Sequence, residues 1–247
     1  MSGHSKWHSI KHKKAATDAK RGKIFTRHAN LITIAARSGG DPDMNPSLRL
    51  TIDNAKKENV PNNNIERAVK RGTGELKGAE LLELSYEGYG PCGTAVMVEC
   101  LTDNKNRTYT NVRTIFNKKG GNLGGSGSVA WMFERKGVIV VKSSGNTDEI
   151  ELAAIDAGAE DIKAEGEVVE IYTAPNDLTK VDKKLKEQGI DIENAEVLLV
   201  PNDTVKMEDA ISAKKVLDFM DALEEDLDVT NVSSNFDIDD SLMDDLQ

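Results

Sequence analysis

Apolar residues recur at helical spacing along the first third of the chain and in strand-like runs between helical stretches along the rest. Over residues 17–38, Phe25, Ala29, Ile32 and Ala36 fall three or four positions apart and Gly39-Gly40 supplies a stop, which predicts one amphipathic helix. Asn45-Pro46 reads as an N-cap with proline at the first helical position. Leu48, Ile52 and Ala55 then share a face until Val60-Pro61 ends the run. A third helix begins at Asn62, turning Ile65, Ala68 and Val69 inward and Arg67, Lys70 and Arg71 outward, and Gly72 closes it.

After a linker over 72–78 the period changes. Leu84, Tyr86 and Tyr89 lead through Gly90-Pro91 into an apolar run over 94–101, which predicts a hairpin. Residues 106–119 are helical in pattern, with Val112, Ile115 and Phe116 inward, and 128–133 reads as another strand. The block 136–200 reads strand 137–142, helix 147–157, strands near 160–164 and 167–173, helix 176–188, strand 194–200. That is the β-α-β-β-α-β order of a ferredoxin-like unit. A helix over 207–226, with Ala213, Val216, Leu217, Met220 and Leu223 inward, and a strand-like 229–236 supply what the earlier β-β-α-β lacks. The expected architecture is α+β and multidomain: a basic arm and small helical domain over 1–78, a discontinuous α/β domain over 79–134 and 201–238, an inserted ferredoxin-like domain over 135–200, and an acidic tail over 239–247.

Charge sharpens this division. The formal net charge is -10, yet the first 28 residues carry Lys6, Lys11, Lys13, Lys14, Lys20, Arg21, Lys23 and Arg27 against Asp18 alone, together with all four histidines. Residues 1–75 hold fifteen Lys and Arg against seven Asp and Glu, a balance of +8, which leaves -18 for residues 76–247. A nucleic-acid-facing head on an acidic body is the expectation. Beyond Lys215 there is no Lys or Arg, while eleven acids follow. The acidic end is either a solubilising tail or a mimic of nucleic acid that folds over the head.

The run Lys11-His12-Lys13-Lys14, followed by Lys20-Arg21-Gly22-Lys23, carries the chemistry, because each cation that neutralises a phosphate releases condensed counterions. Trp7, beside Lys6 and His8, adds a surface on which a base can stack. Arg67, Lys70 and Arg71 offer a second basic face; a merely solvated arm and helix face are the alternative. His4, His8 and His12 are spaced to share a helix face, but no Cys or carboxylate lies among them and neighbouring lysines repel a cation, so no metal site is expected. The glycine-rich run 120–127 follows a helix, precedes a strand and lacks Gly-Lys-Ser/Thr, so it is not a nucleotide loop; it reads as a hinge or as a mobile loop with free backbone N–H groups. Cys92 and Cys100 read as reduced core thiols. No catalytic set emerges, no cofactor is implied, and neither a membrane span nor a signal peptide is indicated.

Longer motifs point further. Gly3-His4-Ser5-Lys6-Trp7, Ile10-Lys11-His12-Lys13-Lys14-Ala15-Ala16 and Asp18-Ala19-Lys20-Arg21-Gly22-Lys23 resemble the opening of the YebC/PmpR family of transcriptional regulators. Asn54-Ala55-Lys56, Asn59-Val60-Pro61, Asn64-Ile65-Glu66-Arg67-Ala68 and Arg71-Gly72 resemble its helical signature. Tyr86 to Pro91 with Thr102-Asp103-Asn104, and Gly121-Asn122-Leu123-Gly124 with 127–133, resemble later blocks. The departure is Cys92, where the family often has glycine, which bears on local turn geometry. The resemblance implies a helical domain and two α/β domains around a negatively charged cavity, and a role without catalysis. Bacterial members are described as DNA-binding regulators; a mitochondrial relative and some bacterial members are described as translation factors on the ribosome. It assigns binding to Lys6, Lys11, His12, Lys13, Lys14, Lys20, Arg21 and Lys23, with Arg67, Lys70 and Arg71. The expectation is a cytoplasmic, monomeric, non-enzymatic regulator of gene expression that binds DNA, with a ribosome-associated translation factor gripping ribosomal RNA as the alternative. The acidic domains are expected to face the ribosome or a protein partner.

Overall fold

The structure, a computed structural model, describes residues 18–143, 145–165, 168–239 and 242. Residues 1–17 of the expected basic arm and most of the acidic tail lie outside the described residues. Among the described residues three helices come first: α1 (Asp18–Ala35), continued by a 3-10 turn over Ala36–Ser38, α2 (Pro46–Lys57) and α3 (Asn62–Gly72). Asn45 joins the first two. Its side-chain oxygen accepts the Leu48 N–H at 3.1 Å, while its amide nitrogen donates to the carbonyls of Ala35 (2.9 Å) and Gly39 (2.8 Å). One buried side chain thus caps the start of α2 and takes up carbonyls at the end of α1. Helix α2 closes in a Schellman motif: Asn59 sits at φ 58°, its N–H bonds Lys56 O, and the buried Val60 bonds Ala55 O.

Two compact units follow from the packing. The first comprises the described residues up to Leu31, Gly78–Glu134 and Leu199 onward; the second comprises Ile32–Lys77 and Arg135–Leu198. In the first, β1 (Leu82–Tyr89), β2 (Ala95–Thr102), β3 (Asn122–Leu123) and β9 (Val229–Ser234) form a sheet in the order β3-β1-β2-β9, antiparallel throughout. Strand β2 is buried on both faces, which is why its sequence is mostly apolar, with the partly buried Glu99 as the one charged position. Val96, Val98 and Cys100 meet α4 (Lys105–Lys118) and α7 (Ala210–Glu224), where Phe116 and Phe219 pack edge to face at 5.0 Å. Ala95 and Met97 point the other way, to Val129 and Phe133. A short parallel pair, β8 (Val205–Met207) and β10 (Phe236–Ile238), completes this unit.

The second unit holds β4 (Phe133–Lys142), α5 (Thr147–Ala157), β5 (Asp161–Glu165), β6 (Val168–Thr173), α6 (Leu178–Glu187) and β7 (Ile192–Pro201), apart from the outer ends of β4 and β7. The sheet order β5-β6-β4-β7 is the ferredoxin-like arrangement that the 136–200 pattern predicts. Its core joins Ile139, Val141, Val169 and Ile171 to Ile150, Ala154, Val181 and Leu185 of the helices. Helix α2 docks on the same unit: Asn54 donates to Ala195 O at 2.8 Å, Lys57 to Ile192 O at 2.5 Å, and Lys186 bridges Asp53 (3.1 Å) and Asp182 (2.8 Å). The α+β class, with its helical start, stands as expected.

Two local expectations fail, and two short strands are not foreseen, for identifiable reasons. Residues 128–133 are not a strand: a 3-10 turn occupies Ala130–Met132 and a single strand runs from Phe133 to Lys142. The N–H groups of Val129 and Ala130, which a ladder would need, are both taken by the Glu87 carboxylate. Cys92 is not a core thiol; it is exposed in a 3-10 turn at φ 58°, a left-handed conformation that glycine adopts without strain. Cys100 is the buried one, and its burial pushes the thiol pKa upward. Finally, β3 and β8, two and three residues long, are set by pairing partners distant in sequence and show no period of their own.

Candidate nucleic-acid interface

The best-defined basic surface is the outer face of α3. Ile65 and Ala68 are buried and fix the helix's rotation, so Arg67, Lys70 and Arg71 emerge together, all exposed. The close approach of α3 to the end of α1 fixes its position. Thr33 Oγ1 donates to Ala68 O at 3.2 Å, and a Cβ at Gly72 would stand 2.4 Å from Thr33 O and 2.6 Å from Ala36 Cβ. Arg67, Lys70 and Arg71 make no ion pair or side-chain hydrogen bond with any described residue. Lys70 and Arg71 also lie in the last turn, where cations favour the helix dipole whether or not a ligand is present.

The remaining expected contacts divide. Lys6, Trp7, Lys11, His12, Lys13 and Lys14 lie outside the described residues; Lys20 lies in the first turn of α1. Arg21 is exposed on α1. Lys23 is half-buried, and its ammonium donates to the Glu225 carbonyl at 2.7 Å, at the C-cap of α7. That is a favourable place for a cation on helix-dipole grounds alone. Within the first unit, then, Lys23 has an intramolecular role that its place in a basic run does not reveal.

The glycine-rich loop is neither a free hinge nor an open nest of donors. Glu87, only 8% exposed, accepts Gly127 N–H (2.5 Å) at one oxygen and Val129 (2.8 Å) and Ala130 (2.9 Å) at the other, with the Ser128 hydroxyl at 3.5 Å. Burial by itself raises the pKa of this carboxyl; the backbone donors and Ser128 outweigh it and hold the pKa below the usual carboxylate value. The carboxylate occupies the kind of N–H cluster that elsewhere receives an anion. Sequence reasoning missed Glu87. The available signal was an acid in a strand, facing a distant glycine run with surplus backbone donors.

A second carboxylate anchors the end of β2. Arg107 reaches Asp228 through Nη2 (2.7 Å) and Nε (3.1 Å), and also Asp103 (2.9 Å), while Thr108 donates to Asp228 at 2.8 Å. Hydrogen bonds to Asp228 and then Asp103 raise the guanidinium pKa. Among the described residues no group of three or more His, Cys, Asp or Glu is arranged to hold a metal, and His4, His8 and His12 lie outside them. Among the described residues no helix is long and apolar enough to cross a membrane.

Fold and surface together define a multidomain α+β protein whose small helical segment presents an unneutralised basic face. The comparisons with known proteins place it more closely. Residues 5–75 match the model of the TACO1/YebC N-terminal domain, and residues 81–236 match that of the TACO1/YebC second and third domain. The chain belongs to the TACO1/YebC family. A relative from Halothermothrix orenii, named "Probable transcriptional regulatory protein", is 52% identical, spanning 100% of this chain and 99% of its own. One of the same name from Persephonella marina is 53% identical over 98% of each chain. The crystal structure of a conserved hypothetical protein from Aquifex aeolicus, 48% identical, matches with a TM-score of 0.86 over 94% of this chain and 96% of that one.

Proposed function

We propose that this chain is a non-enzymatic, cytoplasmic regulator of gene expression that grips nucleic acid through its basic arm and the outer face of α3. The observation that carries the reading is the triad Arg67, Lys70 and Arg71: exposed, unpaired among the described residues, and mounted on a helix held by the Thr33 and Gly72 contacts. The charge balance of +8 over residues 1–75 supports the same placement, as do relatives named for transcriptional regulation. Duplex DNA is the leading target.

Binding measured by fluorescence anisotropy against salt tests the grip. Each phosphate contact in duplex DNA contributes roughly 0.9 to the slope of log K against log[salt], so Arg67→Ala/Lys70→Ala/Arg71→Ala should flatten it by up to about 2.7, equally for all sequences. A slope unchanged by that variant removes α3 from the interface. Crosslinking in cells, followed by sequencing of attached DNA and RNA, identifies the polymer. Promoter enrichment supports transcriptional control, whereas ribosomal RNA in its place overturns it in favour of a ribosome-associated translation factor.

A further inference from the structure

Helix α4 breaks the charge pattern of the acidic body. Residues 76–247 carry -18, yet residues 104–133 contain Lys105, Arg107, Arg113, Lys118 and Lys119 and no Asp or Glu. Arg107 is neutralised by Asp228 and Asp103. The other four cations are exposed and have no ion pair or side-chain hydrogen bond with any described residue. Three acids near α4 are engaged by other residues of that helix: Asp228 binds Arg107 and Thr108, Asp226 accepts from Asn111 at 2.8 Å, and Asp103 binds Arg107. One edge of the helix is therefore satisfied by carboxylates while another presents bare cations.

That second edge also carries an aromatic ring. Lys105, Tyr109 and Arg113 follow one another at four-residue steps, which places the two cations roughly 12 Å apart along the axis with the ring between them. Tyr109 is 42% exposed and is backed by Tyr86, ring centroids 6.1 Å apart and tilted by 48°. Asn104 fixes the first turn by accepting Arg107 N–H at 3.1 Å. A supported aromatic face flanked by unpaired cations suits a nucleic-acid strand with unpaired bases: the cations meet phosphates and the ring takes a base. A duplex would engage only the cations. An acidic peptide would do the same and leave the ring without a partner.

We propose that this edge of α4 is a second nucleic-acid contact, built from residues other than those of the arm and α3, which holds a single strand and stacks one of its bases on Tyr109. The proposal rests on the nucleic-acid-binding reading above and narrows it to a partner with exposed bases at this surface. Binding of the full chain to a labelled oligouridylate, titrated with salt, tests it with Lys105→Ala/Arg113→Ala, Tyr109→Leu, Tyr109→Phe and the arm variant Lys11→Ala/Lys13→Ala/Lys14→Ala. Loss of two single-strand phosphate contacts should flatten the slope by about 1.4. Tyr109→Leu should weaken binding roughly 5- to 150-fold, and Tyr109→Phe should retain it. Duplex affinity should not respond to either Tyr109 change. Wild-type slope and affinity in the α4 variants, with loss only in the arm variant, overturn this contact and leave the proposed function standing, as does wild-type binding to duplex DNA without binding to oligouridylate; absence of salt-dependent binding by the wild type to either polymer overturns both. Equal loss of duplex binding in Tyr109→Leu, or competition by polyglutamate as strong as by unlabelled oligouridylate, also overturns the assignment. Circular dichroism melts monitor folding, and the Lys105/Arg113 pair decides the matter if Tyr109→Leu is unstable.

Discussion

Glu87 and Arg107 behave differently although both are charged residues tied to the body of the first unit. Arg107 stays half-open to water and keeps its charge at any ordinary pH, so the guanidinium itself does not titrate while its bonds to Asp228 orient α4. Glu87 is buried and titratable, and the geometry of a whole loop depends on its ionised form. Because its folded-state pKa lies below that of the unfolded chain, its contribution is complete above the ordinary carboxylate value of about 4.3 and is lost as pH falls through the lower, folded value. Glu87→Gln places an amide donor against backbone donors and should cost about 2 kcal/mol at neutral pH. Urea unfolding at neutral pH and again below pH 4 checks this: the gap between wild type and variant should narrow in acid. An equal gap at both would mean that the loop does not depend on the charge.

Helix positions were legible where a single face is buried. Phe25 to Ala36, the Asn45-Pro46 start and the Ile65, Ala68 pair all repeat at the helical period, and the helices lie where that period places them. Phe219, fully buried on α7, escaped because that helix is apolar on more than one side. The strand expected over 128–133 failed because a side chain forty residues away takes its backbone donors, which no local pattern encodes. Of the candidate interface, the triad on α3 was visible from spacing, whereas the capping role of Lys23 and the anchoring role of Glu87 depend on tertiary partners. Gly72 shows the same limit, since its sequence signal is a helix stop while the structure uses it for a close crossing. Gly72→Ala would drive a methyl into Thr33 O and Ala36 and should cost about 2 kcal/mol, read as a lowered melting temperature. No change in melting would mean that the crossing widens freely and that α3 is not held as rigidly as its contacts imply.

Across the whole chain, charge makes a prediction that no single residue makes. A net charge of -10, with -18 concentrated in residues 76–247, repels itself in the folded state, while the +8 of residues 1–75 attracts polyanions. Salt screens both: the Debye length falls from roughly 30 Å at 0.01 M to roughly 10 Å at 0.1 M. Relief of self-repulsion should therefore raise the melting temperature over the range in which loss of counterion release weakens nucleic-acid binding. The opposing contribution comes from ion pairs that salt weakens. Those holding the elements, Arg107 with Asp228 and Lys186 with Asp182, each bury one carboxylate and are short, so they are screened less than charges scattered over the surface. Each kcal/mol of relief is worth about 2–4 °C in a chain of this size. Melting curves and anisotropy titrations in the same salt series should move in opposite directions; if stability falls with salt as binding does, local ion pairs outweigh the charge asymmetry and the acidic body is not the strained partner that its composition implies.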